Sequence, residues 1–522
     1  MGLVIFNSYT AKKEKFEPKS SKEVTLYNCG PTVYNYNHIG NFRSYIFVDL
    51  LRRYLLLRGY GIRHTSNITD IDDKIIENAL KEKKDIRTFT EPYIKAFFDD
   101  LKTLKIQDVD ERPRATESIP EMIEMMKALE KNEHIYSAEG NVYFRISSFS
   151  DYGKLSKLDA ENLVSAAQGR FDADEYDKEN ARDFALWKAP AKKEEPRWES
   201  PWGEGRPGWH LECSAMIRRI YGKDGIDIHV GGVDLLFPHH ENEIAQSCCA
   251  YPTDNFVKYW MHNEHLLVDS KKMSKSLGNF FTLRDLIFQD NAEKLVKEKR
   301  APESLLDLIR SGKIKRALRY LLISFHYRTK LNFTFENLHA ADASCTRIQG
   351  LVSRLVEKLH ITPDELENIL KKENASSKPG EAGQFLSKKS SSAGKYNICF
   401  FEAMDDDLNI AKGLACAFDL IRETNTQLES GSLSDEDARD VLLFFFQLNQ
   451  ILDTIEFVPE KELSMNEVID DSLKEWIEDM IEKRAQAKKE KDFKKADSIR
   501  DELLAKNIKL KDTPQGTAWE QN

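Results

Sequence analysis

Apolar and polar positions change period along this chain, and the change divides it. Over the first 270 residues short β-type runs alternate with helical patterns, which predicts a parallel sheet covered by helices. Glu23 to Cys29 reads as a strand, followed by a loop with Gly30-Pro31. A helical pattern from about Asn41 to Arg58 stops at Gly59; Gly61 to Asn67 is the next strand and Asp72 to Lys84 the next helix. A second strand–helix pair runs from Ile226–Val230 into Phe237–Ala250, and Asn255 to Val268 is extended again. Between these halves, residues from about 115 to 205 hold a helix, a hairpin (Ile135 to Ile146 around Glu139-Gly140) and a loop rich in Pro and Trp, the texture of an insertion. From about 300 to 460 the period is helical, for example in Ile314–Ser324, Leu338–Leu359, Ala411–Leu428 and Ala438–Ile455, and suits a bundle. Within it Glu373 to Lys395 is low in complexity and reads as a flexible surface loop. After about 468 come charged helices and a short extended tail; no internal repeat is visible.

Composition narrows the classes. With 522 residues, 41% hydrophobic and 31% charged, the chain can fill three or four cores and is neither mainly disordered nor collagen-like. The net charge of −10 argues against non-specific polyanion binding, although a local basic patch can still grip nucleic acid. Seven cysteines are too few and too odd for a secreted disulfide scaffold, so an intracellular, cytoplasmic protein is expected. The N-terminal apolar run is soon broken by Lys12, Lys13 and Lys15, and Tyr45 to Leu57 contains Asp49, Arg52 and Arg53. Neither a signal peptide nor a membrane span is predicted.

Three constellations carry chemistry. The first, His38-Ile39-Gly40-Asn41, lies between the first strand and its helix, where open α/β sheets bind ligands and helix starts face anions. Alone it is no more than a capped turn. The second, Lys271-Lys-Met-Ser-Lys-Ser-Leu-Gly-Asn279, places Lys272 and Lys275 around hydroxyls, with Ser274 between them, as a cationic loop suited to a polyphosphate. Most charge runs are solvated surface, but this string is much rarer than a generic basic run. The third is metal-like. Cys29 ends the first strand, Cys213 lies in Trp209-His-Leu-Glu-Cys213, and His239 and Glu243 stand one helical turn apart. Two thiolates, an imidazole and a carboxylate are an acceptable zinc set; His240 competes with His239, and without a Cys-x-x-Cys pair buried cysteines are more often inert.

The Lys-Met-Ser-Lys-Ser string and the His38 element resemble the two signatures of the class I aminoacyl-tRNA synthetases, with Asn41 departing from the final His of His-Ile-Gly-His. The resemblance narrows to the cysteinyl-tRNA synthetase family through Leu26–Tyr34, Asn67–Lys74, Pro113–Glu117, Trp209–Met216, Phe237–Glu243, Met404–Asn409 and Pro514–Trp519, in order from about residue 22 to the end. It implies an α/β fold: a Rossmann-type catalytic domain (1–114 and 206–270) split by a connective insertion (115–205). A linking helical segment with the lysine loop (271–330), a bundle (331–467) and a small C-terminal anticodon-binding domain (468–522) would follow. It implies ATP-dependent activation of L-cysteine and transfer to the terminal adenosine of tRNA(Cys), largely by positioning and charge stabilisation. His38, Gly40 and Asn41 would hold ATP with its magnesium, and Lys272, Ser274 and Lys275 would close over the phosphates. Thr69 and Trp209 would line the cysteine pocket and Asp234 contact the ammonium; plain core packing competes for Trp209. Zinc on Cys29, Cys213, His239 and Glu243 would choose thiolate over alcohol, where a shape-based pocket rejects serine by only about a hundredfold.

The C-terminal segment supplies the polyanion partner. Lys483 to Lys495 carries seven basic residues against Glu490 and Asp492, in an otherwise acidic protein. By resemblance Lys488, Asp497 and Asp512 fall where the family reads the anticodon, with Phe493 and Trp519 as stacking residues. Lys488 stands where arginine is familiar, which weakens bidentate base contact. A monomer is expected. The rival is a tRNA-independent ligase on the same core that joins activated cysteine to a small amine; such relatives lack the anticodon module that this chain matches through Trp519.

Overall fold

The computed structural model describes residues 2–21, 23–158, 183–252, 256–375, 377–459, 471–489, 492–505, 508–513 and 516–521. Strands β1 (Val4–Asn7) and β2 (Lys12–Lys15) form an antiparallel hairpin ahead of β3 (Glu23–Asn28), α1 (Ile39–Leu57), β4 (Gly61–Ser66), α2 (Asp73–Lys81) and α3 (Ile86–Thr103). The insertion holds α4 (Ile119–Lys131), β5 (Ile135–Ala138), β6 (Asn141–Phe144), β7 (Phe184–Lys188) and β8 (Arg206–Pro207), paired as an antiparallel sheet in that order. Then α5 (Trp209–Tyr221), β9 (Ile226–Gly232), α6 (Glu241–Ala250) and β10 (Val257–Asn263) complete the first core.

The central sheet runs β10-β9-β3-β4, parallel throughout. Helices cover both of its faces, so even the polar residues of β9, Asp227 and His229, are buried along with the rest of that strand. From β3 the chain crosses through α1 to β4 on one side, whereas from β9 it crosses through α6 to β10 on the other. The switch point therefore lies between β3 and β9, and a crevice opens at their carboxyl ends.

The Pro- and Trp-rich stretch of the insertion differs from the expected loop. Phe184 to Lys188 is a strand buried along its whole length, and Arg206-Pro207 pairs with it. Gly208 permits the approach: a Cβ there would stand 2.0 Å from the Ala185 carbonyl oxygen.

Beyond β10, short strands β11 (Leu266–Val268) and β12 (Lys271–Lys272) precede α7 (Leu283–Ile287), α8 (Gln289–Lys297), α9 (Ser304–Arg310) and α10 (Ile314–Ile323). After β13 (Leu331–Phe333), which pairs with β11, come the bundle helices α11 (Phe335–Leu359), α12 (Pro363–Asn374), α13 (Ser392–Asp405), α14 (Ile410–Glu429) and α15 (Asp435–Leu452). The low-complexity stretch is more ordered than its composition suggests. Leu386 is fully buried, Gly380 N–H donates to the Arg58 carbonyl at 2.7 Å, and Gln447 donates to the Gly383 carbonyl at 2.8 Å. It is packed between α1 and the bundle rather than being a free surface loop. Cys399 and Cys416 form one disulfide between α13 and α14. At the end, α16 (Asp471–Lys489), α17 (Phe493–Ala505) and the hairpin β14 (Ile508–Thr513)–β15 (Gly516–Gln521) gather around a separate small core of Ile477, Met480, Ile499, Leu503 and Ile508.

Candidate active site and metal centre

A cavity of about 640 Å³ occupies the crevice at the switch point. Its walls come from the strand ends and the residues just past them: Cys29 after β3, Asn67 and Thr69 after β4, Gly231 and Gly232 of β9, and Asn263 to Leu266 around the end of β10. His38, Gly40 and Asn41 form one side, and Lys272, Met273 and Lys275 lie across from them.

The His38 element is a helix cap. The His38 backbone is extended, its Nδ1 accepts the Asn41 N–H at 3.1 Å, and Asn41 Oδ1 accepts the His38 N–H at 3.1 Å. Two orphan donors of the first turn of α1 are thus satisfied reciprocally, which gives the departure at Asn41 a structural role. Burial pushes the imidazole below its ordinary range, with Asp234 only partly opposing, so Nδ1 stays a neutral acceptor. Gly40 has to be glycine here: a Cβ would meet the His38 ring at 2.9 Å and the Met273 methyl at 3.3 Å.

The lysine loop is stitched to this cap. Ile39 N–H donates to the Phe281 carbonyl at 3.1 Å, and Leu283 N–H to the Asn37 carbonyl at 3.3 Å. On the other side β12 pairs with β11. Inside the loop Asn279 Oδ1 accepts the Ser274 N–H at 2.9 Å, and Ser274 Oγ accepts the Leu277 N–H at 3.2 Å. Ser274 therefore braces the turn and does not line the cavity; Lys272 and Lys275 do, and Lys275 Nζ sits 5.5 Å from the Phe280 ring centre.

Beneath the cavity Cys29, Cys213, His239 and Glu243 bring their ligand atoms within 4.8 Å of one another. The two sulfurs are 3.7 Å apart, close to the edge of about 3.8 Å that a tetrahedron with metal–sulfur bonds of about 2.3 Å requires. His239 Nε2 is buried 3.1 Å from Glu243 Oε1, yet has no hydrogen-bond partner among the described residues. That donor set fits a metal ion. His229 Nε2, 3.0 Å from Glu243 Oε2, orients the carboxylate. Burial alone would raise Glu243, but His229 and His239 outweigh it and hold it at about 2. Cys29, His229, His240 and Glu243 form an overlapping group. Of the two histidines, His239 faces the cavity, together with Cys29 and Cys213, while His240 turns its Nδ1 to His262 at 2.8 Å.

The remaining predicted residues sort by wall. Trp209 is half-buried, lines the cavity and stacks on the His239 ring with centroids 4.2 Å apart, so it is not plain core. Thr69 lines the cavity and donates to Glu212 at 2.6 Å. Asp234 is exposed on the rim. Far from this cavity in sequence, Lys488 and Asp497 are exposed on α16 and α17, Asp497 lying 3.2 Å from Arg500. Phe493, Asp512 and Trp519 belong to α17, β14 and β15, and their side chains lie outside the described part. Within the basic run Arg484 is buried, and Lys483 pairs with Asp479 at 2.6 Å. Sequence reading missed Glu212 and His229. Glu212 adjoins Cys213 in a motif already singled out, and burial pushes it well above the carboxylate range. His229 had no signal, standing in a short buried strand beside Asp227 and outside any recognised motif.

Comparisons with known proteins agree with this geometry. A family model described as tRNA synthetases class I (C) catalytic domain matches residues 15–300, and one described as DALR domain matches residues 399–454. Methionyl-tRNA synthetase of Mycobacterium tuberculosis, solved with methionyl-adenylate, shares the fold at TM-score 0.53 and 12% identity, covering 82% of this chain and 89% of that one. Sheet, crevice and paired motifs define a class I tRNA synthetase catalytic domain. Among curated relatives, the cysteine–tRNA ligases of Leptospira interrogans and Brachyspira hyodysenteriae are 44% and 43% identical, each alignment covering 99% of both chains. That of Chlamydia muridarum is 42% identical over the same shares. The chain belongs to the cysteine–tRNA ligase family.

Proposed function

We infer that this chain activates L-cysteine with ATP and transfers it to the 3′ terminal adenosine of tRNA(Cys). What carries the reading is one cavity with a thiol-containing metal centre at its floor and a capped helix start facing a two-lysine loop at its mouth. The His38 cap and Gly40 leave room for phosphates at the start of α1, and magnesium accompanies the nucleotide. Lys272 and Lys275 offset the charge that builds as pyrophosphate departs, Lys275 foremost, because stabilisation counts most where charge develops. Cys29, Cys213, His239 and Glu243 would hold zinc, a borderline-soft centre that favours a thiolate over the alcohol of serine. Trp209 and Thr69 close the amino-acid pocket above it, and Asp234 faces the ammonium group.

The rest of the chain serves the tRNA. The unit from 468 to 522 would read the anticodon through Lys488, Phe493, Asp497, Asp512 and Trp519. The bundle from 331 to 467 joins it to the catalytic halves at 1–114 and 206–270, the insertion at 115–205 and the loop segment at 271–330. No helix among the described residues is long and apolar enough to cross a membrane; a cytoplasmic monomer fits this reading. The deciding experiment is cysteine-dependent ATP–pyrophosphate exchange with serine as the control. Exchange with cysteine and little with serine is expected; exchange that ignores cysteine would overturn the assignment.

A further inference from the structure

Tyr327, between α10 and β13, joins three parts of the molecule. Its ring lies flat on Phe47 of α1, centroids 4.2 Å apart at 8°. Its carbonyl accepts the N–H of Glu264 at 2.8 Å, and Glu264 lines the cavity. Its hydroxyl donates to Asp407 Oδ1 at 2.6 Å. Asp407 is fully buried at the head of α14, where it also accepts the Phe6 N–H at 2.9 Å and Arg328 Nε at 2.8 Å. Its φ of 62° lies in the left-handed region that side chains seldom occupy, so the contacts around it hold the backbone there. The turn that Asp407 secures in turn secures α1: the Phe325 and His326 carbonyls accept Arg43 Nη2 at 3.2 and 2.9 Å, two residues beyond Asn41.

We propose that Tyr327 and Asp407 are positioning residues for ATP. A buried carboxylate of the bundle fixes the 325–328 turn, and that turn fixes the helix and the strand end framing the nucleotide side of the cavity. Neither residue lines the cavity; both act through Arg43, Phe47 and Glu264. The inference rests on the ligase reading above. Its competitor is a latch that only fastens the bundle to the sheet. The two differ in what they perturb. Loss of a mere latch lowers the folded, active fraction, and so kcat alone. Loss of positioning raises KM for ATP and spares KM for cysteine, whose pocket is framed by Cys29, Thr69 and Trp209.

The full-length protein carries the test. Tyr327→Phe removes one hydroxyl and keeps the stacked ring. Asp407→Asn keeps an acceptor for Phe6, and Asn tolerates the left-handed backbone. Pyrophosphate exchange is measured with ATP varied at saturating cysteine and the reverse, beside thermal unfolding and zinc content. Each variant is expected to raise KM for ATP by about three- to tenfold, with KM for cysteine and zinc content unchanged. The double variant is expected to fall short of the sum of the two single effects, since Tyr327 and Asp407 share a bond while Asp407 also holds Phe6 and Arg328. Unchanged KM for ATP in Tyr327→Phe, an equal rise in both KM values, or a loss of kcat that tracks unfolded protein would each overturn the proposal. Should Asp407→Asn fail to fold, Tyr327→Phe decides alone. A wild type without cysteine-dependent exchange is a separate result, visible before any variant is made, and it removes the ligase reading itself.

Discussion

Cys213 stands one turn into α5 with its sulfur 3.7 Å from that of Cys29, so replacing it tests a single ligand. Cys213→Ser puts an alcohol where a thiolate is needed, and metal affinity follows ligand softness. Elemental analysis should find about one zinc per wild-type chain and much less in the variant, with a reduced preference for cysteine over serine. Zinc-free wild type, or intact discrimination in a zinc-free variant, would sink the assignment. At this scale the rare strings pointed to residues that the fold brings together. Cys29, Cys213, His239 and Glu243 all lie in such strings and do converge. The choice between His239 and His240 needed the fold, because both reach Glu243 along one helix and only His239 turns to the cavity. His229 was illegible for the opposite reason: its partner Glu243 is fourteen residues away and meets it only where α6 packs against β9.

The cap of α1 shows the same limit at the scale of an element. The helix was readable from its period, but its true start, Ile39 after an N-cap at His38, is set by a reciprocal pair of hydrogen bonds rather than by hydrophobicity. Asn41→Ala removes half of that pair and leaves the His38 N–H without its acceptor. A stability loss of about 1 kcal/mol is expected in urea unfolding, together with weaker exchange at low ATP. Unaltered stability and exchange would show that the cap is dispensable. Strands β3, β4 and β9 and the bundle helices likewise fell within a few residues of their predicted spans. The 373–395 stretch misled because Ser and Lys runs hide the buried Leu386 and the glycines Gly380 and Gly383, whose hydrogen bonds reach Arg58 at the end of α1 and Gln447 of α15, far off in sequence.

At the scale of the whole molecule, the catalytic sheet and the terminal unit are separately cored, the latter on Ile477, Met480, Ile499, Leu503 and Ile508. Deleting everything after Glu467 should therefore spare activation and impair transfer. Cysteine-dependent pyrophosphate exchange should persist, while tRNA binding weakens and loses much of its salt dependence, since phosphate contacts release counterions. A truncated protein, shown soluble by gel filtration, that charges tRNA normally would reopen the small-amine ligase reading. The contrast with the bundle is instructive. Asp405 pairs with Arg58, the residue that caps the end of α1, at 2.7 Å in a buried site, and Asp407 holds Tyr327. The bundle is thus bonded into the catalytic half. Periodicity revealed its helices but not that attachment, because three consecutive aspartates look like surface until their partners are known.

The double stitching of the lysine loop has a consequence for chain statistics. Strand β12 anchors one end and the Asn37–Ile39 pairing the other, so the span between the two anchors is only residues 273–280, and Arg300 further holds the Gly278 and Phe280 carbonyls. Lys275 is a short-tethered ligand delivered at high effective concentration, and little configurational entropy is lost when it closes. Closure entropy grows only logarithmically with span, so doubling the free segment would cost only about 0.6 kcal/mol, under about threefold in the closed population. Length is the weak lever in this loop, and charge the strong one.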